Sequence, residues 1–208
     1  MTTATETKDK REHILDVAAR LFSEHGFAGT STRQLAKEAD VNLGMLTYYF
    51  GNKESILLAL FQKHKGSEAD TIASIIETTD LDPFERIDSL IECYIQKFFR
   101  NPDLMRFVHR EMSLPTKPPI MQDMMDKILG NRNRIKAFME ACAAQGIFRR
   151  QDFEMLLSSF FGSVFLLINN PHYATHWLGV PTDEAFSPQM YHRIVKHFQS
   201  AFRVQLQP

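Results

Sequence analysis

The sequence predicts an all-α fold, a short three-helix unit at the N-terminus followed by a larger helical body. Three observations carry that prediction. Apolar residues recur three and four positions apart along most of the 208 residues, the spacing that lines one face of a helix. Gly26, Gly51, Pro83, Pro102 and Gly146 fall between those runs, where they start or stop helices. Hardly any stretch alternates as a half-buried strand would.

Taken in order, residues 1–9 are polar and of mixed charge and read as a loose arm, from which Lys8, Lys10 and Arg11 could reach phosphates or remain a solvated end. A first helix is expected from Lys10 to His25, with Ile14, Ala18, Leu21 and Phe22 on one face. Gly26 ends it and Phe27 packs back. Ser31 followed by Gln34 reads as a capping box, and Leu35, Ala36 and Ala39 supply one buried stripe on a second, short helix. Asp40 suits the left-handed residue of a tight turn, Val41 tucks back, and Asn42 caps a third helix held by Leu46, Tyr49 and Phe50. Two short helices joined this tightly form a helix-turn-helix, whose second helix is sized for a DNA major groove.

The order of these signals resembles the TetR family of bacterial transcriptional regulators. Thr30, Ser31, Leu35, Ala36, Ala39, Val41, Gly44, Leu46, Tyr49, Phe50, Lys53 and Glu54 meet the family's pattern. Three positions depart from it: Asp40 stands where Gly is usual, Asn42 for Ser and Thr47 for Tyr. The first two keep the backbone chemistry. Thr47 shortens a side chain that in relatives often reaches the DNA backbone.

Helical spacing turns Leu46, Tyr49 and Phe50 inward and leaves Leu43, Gly44, Met45, Thr47 and Tyr48 toward a groove and its walls. Leu43 and Met45 suit thymine methyl groups, Thr47 offers a hydroxyl, and Gly44 permits close backbone approach. Arg33 suits a phosphate or a base at the groove edge, and Asn42 with Tyr48 completes the set. Asn52 caps the next helix and places Lys53 in its first turn, where the dipole disfavours a cation. Lys53 is therefore either exposed or set against a DNA phosphate, and the resemblance favours the phosphate.

The fourth helix, with Ile56, Leu57, Leu60 and Phe61 inside, reads as a long connector that bends near Lys63 to Gly66. Ile72, Ile75 and Ile76 continue it to Asp80. Pro83 opens a helix with a wide apolar face from Phe84 to Phe98, and Leu104, Met105, Val108 and Met112 mark a shorter one. Ser113 to Pro119 should be extended. One long helix then runs from Ile120 to Gly146, with Gly130 as the place where it could break. Residues 152–169 are apolar on nearly every face, with Ser158, Ser159, Gly162 and Ser163 as a small-residue stripe, and a last helix spans Pro188 to Phe202.

Composition excludes several classes. With 44% hydrophobic and 24% charged residues, the chain is ordinary for a soluble globular protein, and its longest apolar run is too short for a bilayer. The N-terminus lacks an apolar signal core, which predicts a cytoplasmic location with no membrane partner. Residues 1–65 carry nine Lys/Arg against eight Asp/Glu, so charge supports nucleic-acid binding only faintly. Cys93 and Cys142 read as buried thiols. His172 and His176 stand four apart, but two ligands make no zinc site, and the segment reads alternatively as a loop around an aromatic cluster. His109, Arg110 and Glu111 could act as acid and base, anchor an acidic ligand or form a helix-to-helix ion pair; the ion pair is favoured, since no nucleophile accompanies them. No metal, cofactor or catalytic site is expected.

The division expected is a helix-turn-helix DNA-binding domain over 1–52 and a helical effector-binding and dimerisation domain over 53–208. The resemblance implies a homodimer on a palindromic duplex operator, acting as a repressor released by a small hydrophobic or amphipathic effector. Phe98, Met105, Arg106, His109, Arg110, Met124, Met125, Phe138 and Cys142 are the candidates to line the effector cavity. Ser159, Gly162, Ser163, Leu166, Ile194 and Phe198 are the candidates for the dimer interface, in a four-helix bundle of paired late helices. An activator of the same fold, or a ligand-binding module that has lost DNA binding, are the alternatives; the apolar Leu43, Met45 and Thr47 face favours the second.

Overall fold

A computed structural model describes residues 4–64, 68–115, 119–181, 184 and 186–208. Among the described residues there are eleven helices and no strand: α1 (Ala4–Gly29), α2 (Thr32–Glu38), α3 (Leu43–Phe50), α4 (Lys53–His64), α5 (Glu68–Glu77), α6 (Pro83–Arg100), α7 (Pro102–Met112), α8 (Pro119–Ala144), α9 (Phe153–Asn169), α10 (Pro171–Leu178) and α11 (Pro188–Leu206). The chain forms two compact units, one of Met1–Gly66 with Asp103–Met124, the other of Ser67–Pro102 with Met125–Pro208. No described helix is long and apolar enough to cross a membrane.

In the first unit, α1 begins at Ala4, so the expected loose arm is helical from that residue. The reason is local: residues 4–9 contain no Gly or Pro and include the good helix formers Ala4, Glu6 and Lys8. Gly26 adopts φ 76° and ψ 168°, which breaks the helix where expected and turns Phe27 back. Ile14, Ala18, Leu21 and Phe22 are buried with Leu35, Leu46, Ile56, Leu57 and Leu60, so α1 walls the small core. Lys63 near the end of α4 reaches Glu12 at 2.8 Å and Asp16 at 2.7 Å on α1. Burial works against that ammonium, yet the two carboxylates more than offset it and raise its pKa. The unit also takes in α7, whose Phe107 is wholly buried 5.5 Å from the Phe22 ring and 6.3 Å from that of Phe61. Of the bend expected over Lys63 to Gly66, residues 65 and 66 lie outside the described residues; α4 ends at His64 and α5 starts at Glu68.

The second unit is built on the apolar stripes of α6 and α11, which run antiparallel, Asp88 meeting Gln199 and Arg203 while Phe99 meets Tyr191. Asp82 opens α6 with a full capping box: its Oδ1 accepts from Phe84 N at 2.7 Å and Glu85 N at 2.9 Å, and Glu85 Oε2 accepts from Asp82 N at 2.9 Å. Ile87, Leu90, Ile91, Ile95 and Phe98 then face inward with Met190, Ile194, Val195, Phe198 and Phe202 of α11. From α9, Phe160 inserts its ring 4.9 Å from Phe198 and 5.8 Å from Phe202. Arg203 Nε donates to Asp88 Oδ2 at 3.0 Å and closes the outer edge of the α6–α11 pair. Gly130 does not interrupt α8, which runs unbroken to Ala144. Residues 171–178 are helical rather than a loop: Tyr173 and Trp177 stack at 5.6 Å one turn apart, and His172 and His176 are exposed. Within the proline-rich connection, 116–118 lie outside the described residues and Pro119 already opens α8.

Candidate nucleic-acid interface

Each end of the helix-turn-helix is held by a bond that its own sequence supplies. Ser31 Oγ accepts from Gln34 N at 3.1 Å and opens α2. Asp40 takes φ 52°, the left-handed conformation expected of it, and Val41 N then reaches back to Ala36 O at 2.9 Å. Asn42 Oδ1 accepts from Met45 N at 2.7 Å and opens α3; Gly51 N donates to Thr47 O at 2.8 Å and closes it. Asn52 Oδ1 does the same for α4 through Ser55 N at 2.7 Å.

The recognition helix α3 then divides into two faces. Leu46 is 1% exposed and Phe50 8%, whereas Tyr48 is 83% exposed and Leu43 43%. Gly44 and Thr47 are also exposed and Met45 half-buried. Gly44 has a local reason as well: a Cβ there would lie 3.3 Å from the capping Oδ1 of Asn42. Thr47 Oγ1 donates to Leu43 O at 2.9 Å, so its proton is engaged within the helix and the oxygen's lone pairs face outward. Arg33 is exposed in the first turn of α2. Arg11, read from the sequence as able to reach a phosphate or remain solvated, has its guanidinium 5.1 Å over the Phe50 ring at the end of α3, a contact the sequence did not indicate.

Lys53 is placed differently from a side chain reaching outward. Its Nζ donates to Phe27 O at 2.7 Å and Thr30 O at 2.9 Å, and lies 4.3 Å from the centre of the Phe27 ring. Thr30, 1% exposed, donates its hydroxyl to Gly26 O at 2.9 Å. Glu111, 3% exposed, accepts from Phe27 N at 3.3 Å, and Arg110 Nη1 donates to Glu24 O at 2.8 Å. The ion pair favoured for the Arg110–Glu111 cluster is thus replaced by bonds to the backbone at the end of α1, because helix-terminal carbonyls and amides there lack partners. A signal for Glu111 was present: it lies three residues beyond Val108 and seven beyond Leu104, on the buried stripe of α7.

Of the other effector candidates, Met105 is buried, Arg106 pairs with Asp103, and His109 is half-buried, all in the first unit. In the second unit Phe98 is buried 5.2 Å from the Phe165 ring, Phe138 stands 6.3 Å from Phe148 with Arg86 over it, and Met125 and Cys142 are buried. Burial raises the Cys142 thiol's pKa, with Arg86 opposing. The Met124 side chain lies outside the described residues. An open depression on α5, lined by Ala73, Ser74, Glu77 and Thr78, involves none of these residues. Among the dimer candidates, Ser159, Gly162, Ser163 and Leu166 are exposed on α9, while Ile194 and Phe198 turn into the core of their own chain.

Comparisons with known proteins agree with this geometry. The profile of the bacterial regulatory proteins of the tetR family matches residues 14–60, the stretch from α1 into α4. The probable HTH-type transcriptional regulator YttP of Bacillus subtilis (strain 168) is 28% identical over 205 residues, 95% of this chain and 94% of that protein. The HTH-type transcriptional repressor AcnR of Corynebacterium efficiens is 35% identical over 75 residues, 35% of this chain and 40% of its own. The crystal structure of the probable transcriptional regulatory protein RHA5900 shares the fold with a TM-score of 0.71 at 19% identity, covering 95% of this chain and 99% of that one. With its capped turn and two-faced third helix inside the matched stretch, the chain carries the tetR-family helix-turn-helix over residues 14–60 and is similar to an HTH-type transcriptional regulator along most of its length.

Proposed function

We propose that the protein is a homodimeric, sequence-specific repressor released by a small hydrophobic or amphipathic effector. The observation that carries the DNA-binding part is α3, capped at both ends, anchored by Leu46 and Phe50, and exposing Leu43, Gly44, Thr47 and Tyr48. Leu43 and Met45 read thymine methyl groups, Thr47 accepts a hydrogen bond from a base or a bridging water, and Arg33, Asn42 and Tyr48 hold the flanking backbone. Two copies present their α3 helices about 34 Å apart, one duplex turn, on a palindromic operator.

The dimer forms through α9. Its outer face is Met155, Ser159, Gly162, Ser163 and Leu166, of which Met155 is 63% exposed and Leu166 42%. Small residues there admit a second helix closely, and a Cβ on Gly162 would meet nothing within 4 Å of its own chain. Ile194 and Phe198 support α9 from beneath rather than touching the partner. The effector enters the helical body, where Phe98, Met125, Phe138 and Cys142 form apolar walls, and it stabilises a separation of the α3 helices that no longer fits one duplex turn. AcnR, named as a repressor, supports repression over activation.

A specific observation also favours the ligand-binding module without DNA binding: the α3 face is poor in donors, and Thr47 spends its proton on Leu43 O. Selection from a random duplex library decides. Enrichment of a palindrome with half-sites one turn apart is the expected result, and recovery of unselected sequences at every round sinks the repressor.

A further inference from the structure

The backbone of Phe27 is held on both sides by charged groups of distant helices. Glu111 Oε1 of α7 takes its N–H at 3.3 Å, and Lys53 Nζ of α4 takes its C=O at 2.7 Å. Phe27 N–H belongs to the Gly26–Phe27 peptide and Phe27 C=O to the Phe27–Ala28 peptide, so the anion on one and the cation on the other make two charge-assisted hydrogen bonds on either side of the Phe27 Cα. Lys53 continues to Thr30 O at 2.9 Å, the last residue before the Ser31 cap, and Thr30 Oγ1 ties back to Gly26 O at 2.9 Å. A side chain at Gly26 would be strained by φ +76° and crowded, its Cβ lying 3.2 Å from Arg110 Nε and 3.3 Å from Glu111 Oε1. The whole α1–α2 connection is therefore gripped between α4 and the end of α7.

We propose that Lys53 and Glu111 are positioning residues for DNA binding: they clamp the backbone on the two sides of Phe27 and so set where α2, and with it the recognition helix α3, stands. Lys53 then is not a phosphate contact, since two of its three donors are committed within the protein. Glu111 gives α7 a direct hold on the helix-turn-helix through one peptide. This assignment rests on the DNA-binding reading for its consequence, but the clamp itself is tested without DNA.

The experiment uses the full-length protein with Lys53→Met, Glu111→Ala and Glu111→Gln. Hydrogen exchange in the free protein reads the clamp, and titration of the selected operator and a random duplex over a range of salt reads the consequence. Lys53→Met and Glu111→Ala should speed exchange over residues 27–31 and weaken operator binding by about tenfold, the scale of one charged hydrogen bond, with the salt slope unchanged. Glu111→Gln, which keeps a carbonyl to accept from Phe27 N, should restore most of the operator affinity. A salt slope reduced by about one phosphate per subunit in Lys53→Met overturns the proposal. So does wild-type exchange over residues 27–31 in both Lys53→Met and Glu111→Ala. Should Glu111→Ala fail to fold, Lys53→Met decides by the same two readings. If the wild-type protein selects no DNA, the regulator reading fails while the exchange result still judges the clamp.

Discussion

Both units have apolar cores and capped helices, but they differ in where their buried polar groups lie. In the first, directional bonds to backbone groups fix the geometry: Ser31, Asn42 and Asn52 cap helices, and Thr30, Lys53, Arg110 and Glu111 hold the α1–α2 connection. Among the described residues, Thr30 and Glu111 are the buried polar or charged side chains, and both lie in that unit. In the second, the interior is aromatic and aliphatic, with Phe98 on Phe165, Phe84 on Phe148 and Phe160 between Phe198 and Phe202. Its Lys136–Glu154 ion pair stands at the surface. Directional bonds define an angle and apolar packing defines a volume. A helix that must meet a groove needs the first, whereas a body that rearranges around a ligand tolerates the second.

That contrast breaks most visibly under truncation. Phe160→Ala removes a 3% exposed ring from the α9–α11 contact and should cost about 3–5 kcal/mol in denaturant unfolding, while Phe160→Leu should cost far less. A small loss in Phe160→Ala would mean that the second unit is not held by packing. Gly162→Leu comes next. Because the Gly162 position is open within its own chain, the change should leave the folded subunit intact yet disfavour the dimer by about 1–3 kcal/mol through overpacking. Sedimentation over micromolar concentrations should show a shift toward monomer; an unchanged dimer places the interface elsewhere.

Smaller effects sharpen the first unit. Asn42→Ala deletes the 2.7 Å cap on Met45 N and should cost about 1 kcal/mol, whereas Asn42→Asp should be almost neutral for stability. Operator binding should fall in Asn42→Ala more than global stability does, since the first turn of α3 carries Leu43, Gly44 and Met45. Equal losses in the two would show that the cap serves folding alone.

The smallest effect concerns Glu154. The hydrogen bond from Lys136 at 2.7 Å holds its carboxyl below the usual carboxylate range. A carboxyl with a lowered folded pKa binds its proton more readily in the unfolded chain, so its stabilisation is full above about pH 4.3 and is lost as pH falls through the lower folded value. Denaturation from pH 7 down to acid, for the wild type and Glu154→Gln, should converge at the acid end. The gap at neutral pH should be slight, because the pair is exposed and solvent-screened.

The sequence by itself determined most of the helices and the helix-turn-helix, though not the helical start of α1 or the helix α10. Ser31, Asp40, Asn42 and Asn52 act on amides or dihedrals within three residues, so their consequences are readable without the fold. Apolar spacing likewise marked the inner faces of α1, α3, α6 and α11, because period and burial are linked. Tertiary structure decided where long side chains end. Lys53 bonds a carbonyl 26 residues away and Glu111 an amide 84 residues away, and no local pattern names those partners. It also decided which side of α9 and α11 is covered: Phe198 turns inward against Phe160 while Ser159, Gly162 and Leu166 stay outside. A helix that is apolar on nearly every face has several ways to bury one of them, and only the neighbours it meets on folding select which.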